Sequence, residues 1–138
     1  ESVASASHCH GGDATAALND GIEPKNSCDH DIPRFTWWDH RGTKEWAQYE
    51  FARPSMISAV SVYWFDDTGR GQCRVPATWR LLKREGAAWV PVYGTGEFGV
   101  SKDAWNTVRF PATEASALRI EVQLRDKYSG GILEWNVE

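Results

Sequence analysis

Two carboxylates, Asp20 and Glu134, lie near opposite ends of the chain, one in an Asn-Asp-Gly turn and the other in an apolar C-terminal segment. Terminal strands of a sheet protein commonly pair, and such pairing would bring both acids together near Thr36. Carboxylates, a hydroxyl and loop carbonyls form the hard-oxygen set that calcium prefers; two solvated acids are the plainer alternative. A second group comprises His30, Arg34, His40, Asp66, Arg74 and Tyr128. An Arg fork and Asp acceptors can clamp the vicinal hydroxyls of a sugar, although each of these residues equally suits a loop salt bridge. Between them stands Trp37-Trp38. Adjacent residues in an extended segment point to opposite sides, so at most one indole readily enters a core. The other can pack against the C–H face of a sugar ring.

Other chemistries fit less well. His8-Cys9-His10 with Cys28 and His30 offers zinc-type ligands, but the spacing matches no common zinc framework, and His8 and His10 face away from Cys9 on a strand. A buried thiol or a Cys9–Cys28 disulfide is the better expectation, and three cysteines leave at least one unpaired. Asp66 and Asp67 are adjacent, whereas glycosidase carboxyls stand about 5 to 9 Å apart across a bound sugar. No Ser-His-Asp elbow, phosphate loop or HExxH motif is present, so the chain is expected not to be an enzyme. A net charge of -4 with scattered Lys and Arg argues against nucleic acid. Polar, charged loops argue against membrane insertion.

The elements that must hold these residues read as strands. Segments 3–7, 46–51, 57–65, 78–84, 89–93, 107–110, 117–124 and 132–137 alternate apolar and polar residues between turn formers. In the clearest, Leu118, Ile120, Val122 and Leu124 face one way while Arg119, Glu121 and Gln123 face the other. One short helix is expected over 13–18. Eight antiparallel strands in 138 residues predict an all-β, eight-stranded antiparallel sandwich forming a single domain over residues 1–138. Eight tryptophans exceed what such a core ordinarily holds; Trp46, Trp64, Trp79, Trp89 and Trp135 are expected to serve core or strand packing. The opening Glu1-Ser2-Val3 lacks an initiator Met and a hydrophobic leader, as expected of an excised module or a mature secreted piece.

Several ordered segments resemble those of discoidin-like, coagulation-factor C-type modules, including family 32 carbohydrate-binding modules. They are Ala17-Leu18-Asn19-Asp20-Gly21, Thr36-Trp37-Trp38, Trp46-Ala47-Gln48-Tyr49-Glu50-Phe51, Val60-Ser61-Val62-Tyr63-Trp64, Leu118-Arg119-Ile120-Glu121-Val122 and Gly131-Ile132-Leu133-Glu134-Trp135. The stretches Ile32-Pro33-Arg34-Phe35-Thr36-Trp37-Trp38 and Val75-Pro76-Ala77-Thr78-Trp79-Arg80 resemble modules appended to bacterial glycoside hydrolases of the L-arabinofuranosidase type. The resemblance implies a galactose-binding-domain-like jelly roll and a structural Ca2+ held by Asp20, Thr36 and Glu134, with Asn19 and its neighbours giving carbonyls. It implies that Trp38 is buried, which leaves Trp37 as the exposed ring. It implies a secreted, periplasmic or cell-surface bacterial module, monomeric and covalently linked to a catalytic domain, whose partner is a galactose- or arabinose-bearing glycan. A protein-contact or structural accessory domain is the alternative.

Overall fold

The computed structural model describes residues 2–138. Its strands are β1 (Ser2–Ala6), β2 (Phe35–Thr36), β3 (Lys44–Phe65), β4 (Thr78–Glu85), β5 (Ala88–Val92), β6 (Trp105–Gln123) and β7 (Gly131–Val137), with one 3-10 turn at Thr15–Asn19. All strand pairings are antiparallel.

Two strands are far longer than a sheet normally allows, and their pairing explains why. β3 and β6 bond to each other from Lys44↔Gln123 to Tyr63↔Trp105, with register breaks at Glu50/Ser55 and Ile57/Ala59. Arg53-Pro54 interrupts the apolar alternation there, and such irregularities bend a strand. The ladder therefore folds over on itself. Its first half carries β1 on one side and β4–β5 on the other; its second half carries β7, and β7 carries β2. The result is a five-stranded layer facing a four-stranded one. Five of the eight expected segments are β1, β4, β5, β7 and the first half of β3; the remaining three are the second half of β3 and the two halves of β6. β2, only two residues long, has no alternation to reveal it.

Between the layers lie Ala47, Tyr49, Val60, Val62, Trp64, Trp79, Leu81, Leu118, Ile120, Val122 and Trp135. The Trp64 and Trp79 indoles both donate to the Gly99 carbonyl, at 3.1 and 2.8 Å, so these rings are buried without an orphaned N–H. Trp46 and Trp89 serve strand packing rather than the core: they are half-buried against Arg119, because β3 and β5 turn them to the outer side of the five-stranded layer. The helix expected over 13–18 is the 3-10 turn Thr15–Asn19, without a side-chain N-cap.

Both ends of the folded ladder, Lys44 and Phe65, arrive at one pole of the sandwich. The two long irregular stretches and the segment after β1 gather at that pole. His10 N–H donates to Thr36 C=O, Arg74 N–H to Ser129 C=O, and Trp37 N–H to Gly130 C=O.

Candidate functional site

The pole carries a cleft of about 190 Å³ lined by His10, Asp13, Arg34, Thr36, Trp38, Phe65, Asp67, Gly71, Gln72 and Cys73. β2 sets its floor. Phe35 points into the core, where its ring meets Trp37 edge-on at 5.0 Å, so Thr36 and Trp38 face the other way, into the cleft. Asp13 binds this floor to the wall: Thr36 Oγ1 donates to one carboxylate oxygen at 2.5 Å, and Arg34 Nε lies 3.4 Å from the other. The Arg34 guanidinium also lies 5.1 Å from the Phe65 ring centre. Opposite, Asp67 accepts from Cys73 N–H at 2.8 Å. Burial pushes the Cys73 thiol up to about 12, reinforced by Asp67, so it stays neutral.

The expectation that Trp37 is the exposed ring is corrected. Trp37 is fully buried and its indole N–H donates to Trp46 C=O at 3.1 Å. Trp38 is the half-exposed ring, with the Arg41 guanidinium 4.6 Å from its centre.

Of the other expected residues, only Arg34 lines the cleft. Arg74 lies beside it, 4.4 Å above the Tyr128 ring and donating to Gly71 and Cys73 carbonyls; Arg74 and Tyr128 brace the wall from behind. Asp66 is corrected outright, since it is buried and both oxygens are spent on Thr68 and Val75 N–H groups. Burial alone would raise its carboxyl, but these hydrogen bonds and the Thr68 hydroxyl hold it below the usual range. His30 Nδ1–H donates to the Cys28 carbonyl 2.8 Å away, and the ring packs edge-on to Phe65. His40 stacks on His8 at 3.8 Å and lies 2.9 Å from Glu45 Oε2. Burial would raise Glu45, but the Ser7 and Thr43 hydroxyls and His40 hold it low. Sequence reasoning missed Asp13, Phe65, Asp67 and Gln72; Asp67 and Gln72 lay inside the flagged stretch 66–76, whereas Asp13 and Phe65 carried no signal.

Asp20 and Glu134 do meet. Burial, reinforced by the neighbouring Asp20 carboxyl, pushes the Glu134 carboxyl up to about 8. Its Oε2 accepts from Gly21 N–H at 3.1 Å, while the buried Oε1 has no partner. Two carboxylates and an unpartnered buried oxygen suit a hard cation. Thr36 is corrected as a ligand, because its hydroxyl belongs to Asp13 in the cleft. The Asn19 side chain donates to Ser2 Oγ, leaving only its carbonyl for a metal. Among the described residues no group of three or more His, Cys, Asp or Glu is placed to hold a metal, and Cys9, Cys28 and Cys73 are free thiols, without a Cys9–Cys28 bridge.

No family model and no curated protein matches the sequence. Solved structures do. A structure of the Streptococcus pneumoniae beta-galactosidase BgaA superposes at a TM-score of 0.83 with 16% identity, covering 99% of this chain and 96% of that one. The family 32 module of Clostridium perfringens NanJ, solved with galactose, gives 0.75 with 15% identity over 99% and 92%. A Ruminococcus gnavus GH29 fucosidase gives 0.68 with 16% identity, where this chain spans 99% of itself but 24% of the enzyme. The chain therefore has the discoidin-like jelly-roll fold of the family 32 carbohydrate-binding modules.

Proposed function

We propose that the chain is a non-catalytic carbohydrate-binding module whose cleft at the loop pole holds a sugar. The observation that carries this reading is Trp38 beside the Arg34–Asp13 pair in one cleft. The indole gives a flat apolar platform; Arg34 gives donors and Asp67 and Gln72 give acceptors and donors for hydroxyls. Asp13 is saturated by Thr36 and Arg34, and Asp66 by its own loop, so neither is free for general acid or base work. The galactose in the NanJ module supports a galactose-bearing glycan as target, an arabinose-bearing one resting on the sequence resemblance, and the beta-galactosidase and fucosidase contexts point to enzymes of glycan breakdown. They also support a linked glycoside hydrolase whose substrate the module keeps close. On this reading the module is a monomer that works outside the cytoplasm, secreted, periplasmic or on the cell surface.

Calcium belongs to the same proposal. Asp20 and Glu134 would hold the ion with carbonyls of the adjoining turn, where it would tie the 3-10 turn to β7. Calcium should raise the melting temperature of the wild type, and Glu134→Gln should abolish the rise. An equal rise in the variant would place the ion elsewhere.

The test of the binding reading is an affinity-gel screen over neutral galactans and arabinans with wild type, Trp38→Ala and Arg34→Ala. Retention of wild type on one glycan class, weakened about tenfold in each variant, is expected. A folded wild type that no glycan retains would overturn the reading in favour of a protein-contact accessory domain.

A further inference from the structure

The outer side of the five-stranded layer is not the solvated polar face that strand alternation leads one to expect. From Trp46 outward, the cross-strand partners on this side are Glu121 and Arg80, then Gln48, Arg119, Leu82 and Pro91, then Glu50, with Arg84 opposite Trp89 at the far side. The Arg119 guanidinium lies 4.1 Å from the Trp46 ring centre and 4.2 Å from that of Trp89, and Arg84 lies 5.1 Å from Trp89. Two half-buried indoles and two guanidinium groups thus form one continuous stack across β3, β6, β5 and β4, none of them lining the cleft.

The stack has unspent donors. Arg80 pairs with Glu121 at 2.8 Å and Arg84 with Glu50 at 2.9 Å. Arg119 has no carboxylate partner among the described residues: its Nε and one terminal nitrogen both donate to the neutral Gln48 Oε1, at 3.0 and 2.7 Å. Lys44, at the same face's edge opposite Gln123, is likewise free of one. The indole N–H groups of Trp37, Trp64, Trp79 and Trp105 have protein acceptors; those of Trp46 and Trp89 have none among the described residues. A chain of net charge -4 therefore carries a local excess of cations, Lys44, Arg80, Arg84 and Arg119 against Glu50 and Glu121, on one sheet face.

We infer that this face is a second ligand surface, for the carboxylate-bearing chain of an acidic polysaccharide. Stacked guanidinium is weakly hydrated and presents a fork matched to carboxylate, and the two indole edges supply donors for ring hydroxyls. A stack that crosses four strands suits an extended chain. The hollow of about 300 Å³ that opens on this face is lined largely by Lys44, Thr78, Arg80, Glu121 and Gln123, side chains suited to hydroxyls and carboxylates rather than to the apolar anchors that a peptide would bring.

The experiment is affinity electrophoresis through polygalacturonate, its fully methyl-esterified form and polyglutamate, with folding of each variant checked by melting temperature. Wild type should be retarded by polygalacturonate and much less by the ester, and added salt should weaken the effect. Arg119→Gln and Trp89→Ala should each weaken retardation about tenfold, whereas Trp38→Ala should leave it intact. The cleft thus fails or stands separately, since Trp38→Ala reads out on the glycan the cleft retains. No retardation of wild type, undiminished retardation of Arg119→Gln, or equal retardation by polyglutamate would overturn the inference.

Discussion

Trp37 sits with its ring edge-on to Phe35 and beside Gly130, fully buried, while Trp38 projects into the cleft. Removing the two rings should therefore fail differently. Trp37→Ala opens a cavity the size of an indole and should cost about 3 to 5 kcal/mol, seen as a large drop in denaturant midpoint. Trp38→Ala should leave the midpoint nearly unchanged and lose the sugar. The sequence allowed one buried ring of the pair but could not say which, because β2 is two residues long and its parity rests on pairing with β7. The assignment of Thr36 to calcium fails for the same reason. A one-residue slip in a strand exchanges every side chain between faces, and it carries Thr36 and Trp38 together from the interior to the cleft. That Asp20 and Glu134 come together was legible, because a tight turn and a C-terminal strand do not depend on that parity.

At the scale of elements, β2 is held by a close approach that only glycine allows. A Cβ on Gly131 would lie 2.3 Å from the Phe35 carbonyl oxygen and 2.8 Å from the Thr36 methyl. Gly131→Ala must push β2 off β7, which should lower stability by about 1 to 3 kcal/mol and weaken sugar retention through Thr36 and Trp38, although it touches neither ligand nor cleft. The long strands were read as separate pieces for a physical reason. Proline and polar residues at the bend break the apolar period, and nothing local distinguishes a bend within one ladder from a turn between two strands. Trp46 and Trp89 were read as packing residues because a Trp in an alternating strand ordinarily fills a core; here the parity of β3 and the edge position of β5 put them outside.

For the whole molecule, opposing titrations shape stability. Glu134 is pushed up to about 8 by burial and by Asp20, so without a cation the folded state holds a proton that the unfolded chain releases near the ordinary glutamate value. Its contribution is present at low pH and is lost as pH rises toward about 8. Glu45 and Asp66 are held below their ordinary values, so theirs is present above the carboxylate range and lost on acidification. In chelator the melting temperature should thus peak near the ordinary carboxylate range and fall on both sides; saturating calcium should flatten only the alkaline limb, as a pH series of thermal melts would reveal. The folded-over ladder has one further consequence. Ser2 pairs with Phe51 beside the fold, and Glu138 bonds to Ala59 on the returning arm, whereas the cleft opens where both arms end. The molecule is in effect a hairpin clasp with its mouth at one end and both tails at its hinge, so anything carried on either tail trails behind the mouth and leaves the approach to a polymer surface clear.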